Sequence, residues 1–335
     1  MGLLIDMIDV GQGDSFLLSI DGPGGEVNVL IDAGLRDAGA IVLNYVKKYA
    51  PGGLDLIVAT HIDNDHVGGM ATVLTYAPMK QGARFAINVP PAIKTHWTPV
   101  RSTLEKYKGV VSFGRLLDAV DAVKTLCALA NKRGLTLVDA LQGRWWSYGG
   151  VNLNVLNPTP ERLARAWEES RLDEYLHPGW DANLVSIVEA MAEAPSTSPE
   201  NDASVVIEIT VDGVPSALMA SDAGAAVLRE VTAGKRYPFL KVPHHGSDTG
   251  LDDELIQQFR PVRAAIPVGE NPHGHPCLEI LDMLRESGAR TFCSTKTKDC
   301  RKSCSFTGGD ISFPIGKPLR PGWNLIDNSK CQNNR

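Results

Sequence analysis

With 335 residues, 43% of them apolar and 21% charged, the chain can bury a substantial core as one large domain or two small ones. A formal charge of −6 excludes a global basic field for nucleic acid, although a local basic patch or bound divalent cations would offset it. Six cysteines are too few for a disulfide scaffold at this length, and Asp6 and Asp9 interrupt the first hydrophobic run. No secretory leader or bilayer-spanning stretch is read, and a cytoplasmic location is the expectation.

In chain order, Met1–Val10 alternates as a strand and meets Gly11-Gln12-Gly13-Asp14. Ser15–Ile20 and Val27–Ile31 complete a β-meander that ends at Asp32-Ala33-Gly34. Ala38–Tyr49 has helical spacing and stops at Pro51-Gly52-Gly53. Leu56–Ala59 is an apolar, β-branched strand that runs into Thr60-His61-Ile62-Asp63-Asn64-Asp65-His66-Val67-Gly68-Gly69, with a helix expected from Met70. Arg84–Val89 reads as a strand, and Trp97–Val111 and Leu116–Lys132 as helices. Leu135–Leu141 and Val151–Leu156 are strands separated by residues 143–150. A polar helix follows over Glu161–Tyr175. The stretch that follows it, to Asn201, is the most loop-like part, and residues 159–202 are expected to be a partly mobile insertion. Strands return at Ser204–Val211, Pro215–Ala220, Phe239–Val242 and Ala264–Val268, with helices at Leu251–Phe259 and Leu278–Ser287. Short strands follow Thr291. The expected organisation is a single α/β domain over 1–320 with a polar tail over 321–335: two sheets packed together, helices outside.

The spacing H-x-D-x-D-H from His61 to His66 is dense in metal ligands. Ligands where a strand stops and a helix starts sit on a rigid frame yet face solvent, as a catalytic metal requires. Further candidates fall at predicted strand ends: Asp32, Asp222 in Ser221-Asp222-Ala223-Gly224, His244-His245-Gly246-Ser247, and Asn271-Pro272-His273-Gly274-His275-Pro276. A lone aspartate after a strand is usually a turn former, and a lone histidine is usually structural. Here six of the eight histidines lie in three short loops, each after a predicted strand, and that joint occurrence points to a metal site.

These segments, with Asp9–Asp14, Ile31–Gly34, Asn201–Val206 and Lys241–Ser247, resemble the metallo-β-lactamase superfamily, and within it the hydrolase domain of the competence DNA-uptake channel family, ComEC. The match spans about residues 5–285. It implies an αββα sandwich of two mixed β-sheets flanked by helices, with metal at one sheet edge, and hydrolysis of phosphodiester bonds. By the same resemblance His61 and Asp63 hold a first divalent ion. Asp65, His66 and one of His244 and His245 hold a second, with His244 favoured because it follows the strand directly. Asp222 bridges the two ions, Asp32 orients a ligand histidine, and loss of Asp65 or Asp222 abolishes hydrolysis.

Two departures from the family pattern stand out. Asp63 occupies a position where many members have histidine, and Asn201 with Asp202 stands where another histidine precedes a strand. Oxygen donors harden the first site toward Mn²⁺ or Mg²⁺, with Zn²⁺ open at the second. His273 and His275 either contact the scissile phosphate or protonate the leaving oxygen, or they only hydrogen-bond backbone in a proline-held turn. Gly11–Asp14 either presents N–H groups to a phosphate or is a tight hairpin. Residues 296–302 are a solvated basic loop or a grip on nucleic acid, and Trp145-Trp146 pack a strand edge or stack on bases. The cysteines lack zinc-ribbon spacing and read as free thiols.

The leading expectation is a metal-dependent phosphodiesterase or nuclease on nucleic acid, with DNA as the expected polymer. Such a domain stands alone or serves protein partners in a larger assembly, without a membrane segment. The alternatives are a small-molecule phosphodiesterase and a partner subunit that kept the fold without turnover.

Overall fold

The computed structural model describes residues 2–22, 24–89, 111–169, 199–295 and 304–316. Strands β1 (Gly2–Met7), β2 (Phe16–Gly22) and β3 (Gly25–Ile31) form the expected antiparallel meander. β4 (Leu54–Val58), β5 (Met79–Ala86) and β6 (Thr136–Val138) extend it in parallel, and β15 (Ile311–Gly316) closes its other side, giving the order β15-β1-β2-β3-β4-β5-β6. The second sheet begins with β7 (Trp145–Tyr148), β8 (Val151–Asn157), β9 (Val206–Val211) and β10 (Val214–Met219), all antiparallel. It continues in parallel through β11 (Phe239–Lys241), β12 (Arg263–Ile266), β13 (Arg290–Cys293) and β14 (Phe306–Thr307).

Three apolar layers explain the stacking. Between the sheets, Leu3, Ile5 and Phe16 meet Leu153, Ile207, Phe239 and Phe292. Outside the first sheet, Leu17, Leu30 and Ile57 pack under the helices Gly39–Tyr49, Met70–Tyr76 and Val111–Lys132. Outside the second, Leu218, Leu240 and Ile266 pack under Ala225–Thr232, Asp253–Phe259 and Leu278–Glu286. Central strands buried on both faces explain why their sequences run apolar without alternation. The αββα sandwich of two mixed sheets is the observed fold. Among the described residues no helix is long and apolar enough to cross a membrane.

Differences from expectation are local. The 143–150 separator contains β7, an edge strand on which Trp146 turns into the inter-sheet core while Trp145 is 62% exposed. The polar helix starts at Pro160 and runs to Glu169; its expected remainder lies outside the described residues. Most of the helix expected at 97–111, the middle of the expected insertion, the basic run 296–302 and the tail also lie outside them. Cys293 is disulfide-bonded, against the free-thiol reading, while Cys277 and Cys304 are free thiols, as read.

Candidate metal centre

β3 and β4 are parallel neighbours, so their C-terminal ends open side by side at one edge of the sandwich. Asp32, just past β3, adopts a left-handed φ of 57°. Its carboxylate accepts from Thr60 N at 2.9 Å and Thr60 Oγ1 at 2.6 Å, locking the start of the histidine loop. The loop then makes a helical turn that the sequence did not reveal, Asn64–Val67, with the Asp63 carbonyl accepting from His66 N and Val67 N. That turn carries Asp65 and His66 inward. Gly68 and Gly69 have ordinary helical φ values, so their role is not a left-handed turn. A Cβ on Gly69 would stand 2.2 Å from the Ala33 carbonyl oxygen, so close packing requires the missing side chain.

His66 is fully buried, its Nδ1 2.8 Å from Asp32 Oδ2 and its Nε2 3.3 Å from Asp222 Oδ2. His245 is likewise buried, with Nδ1 2.8 Å from the Pro267 carbonyl oxygen. Its Nε2 lies 3.2 Å from Asp65 Oδ2 and 3.4 Å from Asp222 Oδ2. With each Nδ1–H donating backward, both Nε2 atoms are left to hold a proton or a metal. Tetrahedral coordination at bond lengths of about 2.0–2.2 Å has donor–donor edges of roughly 3.3–3.6 Å, close to the spacings of these atoms. Among the described residues, His61 Nε2, His66 Nε2 and His245 Nε2 are buried without a hydrogen bond. A buried polar atom left without a partner is costly, and a divalent cation would satisfy several at once. The residues present fit a metal.

Asp14, His66, Asp222 and His245 offer ligand atoms within 4.8 Å of one another. Asp14 nevertheless faces the rear of both rings. Its Oδ1 is 3.3 Å from His245 Nδ1 and its Oδ2 is 3.9 Å from His66 Nδ1. The inner faces belong to Asp65, His66, Asp222 and His245, so Asp14 stands behind the two rings. Sequence reasoning passed over Asp14, weighing only the backbone of its glycine loop, and also Lys241. The signal for Lys241 was there: a lysine inside the apolar run Phe239-Leu240-Lys241-Val242 has no water to reach. Its Nζ lies 2.6 Å from Asp14 Oδ2 and 3.2 Å from Asp222 Oδ1.

The electrostatics follow from this crowding. Burial opposes charge on every member. For His66 the carboxylates of Asp222, Asp14 and Asp32 outweigh burial and hold the imidazole well above its ordinary range. His245 is raised in the same way, chiefly by Asp222. For Asp222, burial is outweighed by His66, His245 and Lys241, which hold the carboxyl well below its usual range. Asp65 is lowered despite burial, through the close approach of the His245 imidazole and the charge of His66. Without metal, the centre is an interlocked set of imidazolium–carboxylate pairs.

His61 is 8% exposed, its ring centroid 4.0 Å from that of His66 and its Nε2 3.6 Å from Asp63 Oδ2; the Asp63 side chain is 46% exposed. The preference for His244 over His245 does not fit the placement. Both residues have left-handed backbones, φ 47° and 53°, which splay the rings, and His245 is the one that enters the buried cluster. His244 Nε2 lies 3.4 Å from Asn201 Nδ2. Asp202 serves the scaffold, with its carboxylate accepting from Gly224 N and its carbonyl from Asn157 Nδ2.

Asn271 builds the third histidine loop: its Nδ2 donates to the carbonyls of Gly269 and His275, while its Oδ1 accepts from His273 N and His275 N. His275 packs 5.3 Å from His244, ring to ring, and 5.7 Å from His273. Burial, with the neighbouring histidines, pushes His275 down to about 4. It is therefore neutral near pH 7 and suits an acceptor better than the proton donor considered for it. The glycine loop is structural in its contacts: Asp14 N donates to the Asp65 carbonyl, and Gln12 Oε1 accepts from Gly269 N.

The metallo-beta-lactamase superfamily model matches residues 8–84, a span that includes Asp14, Asp32 and the His61–His66 loop. ComE operon protein 3 of Bacillus subtilis is 22% identical over 308 residues, covering 86% of this chain and 31% of that protein. Recombination protein 2 of Haemophilus influenzae is 25% identical over 288 residues, covering 84% of this chain and 26% of that protein. The chain thus spans less than a third of either relative's length. Similar solved structures include Igni18, a metallo hydrolase from Ignicoccus hospitalis, at 15% identity over 93% of this chain and 99% of that one, TM-score 0.45. Another is the metallo-beta-lactamase fold protein YhfI of Bacillus subtilis, at 10% identity over 92% of this chain and 99% of that one, TM-score 0.44. The resemblance read from the motifs to this superfamily, and within it to ComEC, is borne out.

Proposed function

We propose that this metallo-β-lactamase-fold chain is a divalent-metal-dependent phosphodiesterase that hydrolyses nucleic acid, with DNA as its polymer. The observation that carries the proposal is the meeting of His66 Nε2, His245 Nε2, Asp65 Oδ2 and Asp222 Oδ2 at 3.2–3.4 Å, on strand ends from both sheets. These four would hold the tighter ion, for which their spacing suits Zn²⁺. His61 and Asp63 would hold a more open one, which suits Mn²⁺ or Mg²⁺. A bound divalent ion supplies Lewis acidity toward a phosphoryl oxygen and lowers the pKa of water.

The chain's own residues do the rest. Asp32 and the Pro267 carbonyl fix the ring orientation of His66 and His245. Asp222 faces both imidazoles at once and would help to hold either ion. His273 and His275, on the turn braced by Asn271, adjoin the centre through His244, and neutral His275 would accept a hydrogen bond from substrate. Support for a DNA substrate comes from the relatives, one of which is named for recombination.

The test incubates purified protein with linear DNA, RNA and bis(p-nitrophenyl) phosphate, each with Mn²⁺, Mg²⁺ or Zn²⁺. Cleavage of DNA that EDTA stops is expected. Metal-loaded protein that turns over none of the three would overturn the proposal.

A further inference from the structure

The centre contains a permanent cation of its own. Lys241 is the last residue of β11, between Met219 of β10 and Ala265 of β12, and is 1% exposed among Phe239, Leu240 and Val242. An ammonium has three hydrogens to donate. Here they find Asp14 Oδ2 at 2.6 Å, the Ser221 carbonyl oxygen at 2.6 Å and Asp222 Oδ1 at 3.2 Å. At Asp222 the ammonium takes the oxygen that does not face the ring Nε2 atoms. Asp222 is left with Oδ2 facing His66 Nε2 at 3.3 Å and His245 Nε2 at 3.4 Å. Asp14 is left with Oδ1 facing His245 Nδ1 at 3.3 Å.

We propose that Lys241 is a positioning residue for the metal centre: its ammonium occupies one oxygen of Asp222, so that this carboxylate meets an ion through Oδ2 alone, and anchors Asp14 behind the His245 ring. A carboxylate with both oxygens free can close on a cation as a two-oxygen chelate, which raises the coordination number and displaces other donors. Tying Oδ1 to an interior lysine forbids that mode. The Ser221 carbonyl contact fixes the lysine to the same turn that carries Asp222, so strand, turn and ligand move as one body. This inference rests on the reading of the cluster as a metal centre.

The test compares wild type with Lys241→Met and Lys241→Gln, the latter keeping polar donors without the charge. Metal affinity is measured by titration calorimetry with Zn²⁺ and Mn²⁺. Coordination is measured by visible absorption of the Co²⁺ form, which is stronger for four than for six ligands, and folding by circular dichroism. Lys241→Met is expected to bind about 10- to 100-fold more weakly, as for other changes behind metal ligands. Its Co²⁺ band should weaken and shift as Asp222 chelates, with Lys241→Gln between the two. A purely structural lysine would leave the Co²⁺ spectrum of the folded variants unchanged. A folded variant with wild-type affinity and spectrum overturns the proposal. If Lys241→Met does not fold, Lys241→Gln is judged by the same criteria. Wild type that binds no divalent ion would instead remove the metal reading itself.

Discussion

At His66, one imidazole is pressed between Asp32 behind and Asp222 in front, and this arrangement has consequences for pH. A histidine whose folded pKa is raised contributes stability that is complete below its ordinary value of 6.5 and fades as pH climbs through the raised value. The carboxyls of Asp14 and Asp222 are depressed, so their contribution is complete above 3.8 and fades on acidification below it. Metal-free protein should therefore draw most from this cluster between about pH 4 and 6.5. An added divalent ion must displace the imidazole protons, so its affinity should rise with pH across the neutral range. Calorimetry in buffers of different ionisation enthalpy should record proton release; binding without it would contradict the assignment of both Nε2 atoms. Asp32→Asn weakens the acceptor behind His66, and a loss of roughly 10- to 100-fold in metal affinity is expected from the same titrations.

Among the elements, the glycine loop after β1 and the ligand-bearing turn after β4 are fitted to each other. Gly13 has φ 117°, and a Cβ there would lie 2.0 Å from the Asp65 carbonyl oxygen, the acceptor for Asp14 N. Gly13→Ala should cost on the order of 3 kcal/mol by combining an unfavourable backbone with overpacking. It should also weaken metal binding, because Asp65 is displaced; a thermal melt and a metal titration check the two effects. This pairing explains what the sequence left unread. The strand ends and most of the imidazoles were legible because apolar runs stop at them. Asp14 was not, since its role depends on a loop from one strand leaning on a loop from another, which no local pattern encodes. Lys241 was legible as a buried charge from the apolar run around it, but its carboxylate partners were not, since they arrive from other strands. Which of His244 and His245 enters the buried cluster turned on two consecutive left-handed backbones, and neither residue type signals that conformation.

For the whole molecule, the candidate donors come from both sheets: Asp65 and His66 follow β4, while Asp222 and His245 follow β10 and β11. An ion held by this set ties the two halves together, so it should raise the melting temperature of one cooperative transition. Differential scanning calorimetry that resolves two transitions, only one of them metal-sensitive, would contradict that expectation. A different consequence follows from β1, which pairs with β2 on one side and β15 on the other, joining Gly2 to Gly316. Asp9 repeats the connection, its N–H donating to Asp310 and its carboxylate accepting from Gly309 N. During synthesis β1 must wait for β15, about 300 residues further along the chain. At roughly 5–20 residues per second that delay is on the order of tens of seconds, during which one side of an apolar ribbon has no mate. Until then, a nascent chain exposes its first sheet to chaperones and to other unfinished copies of itself.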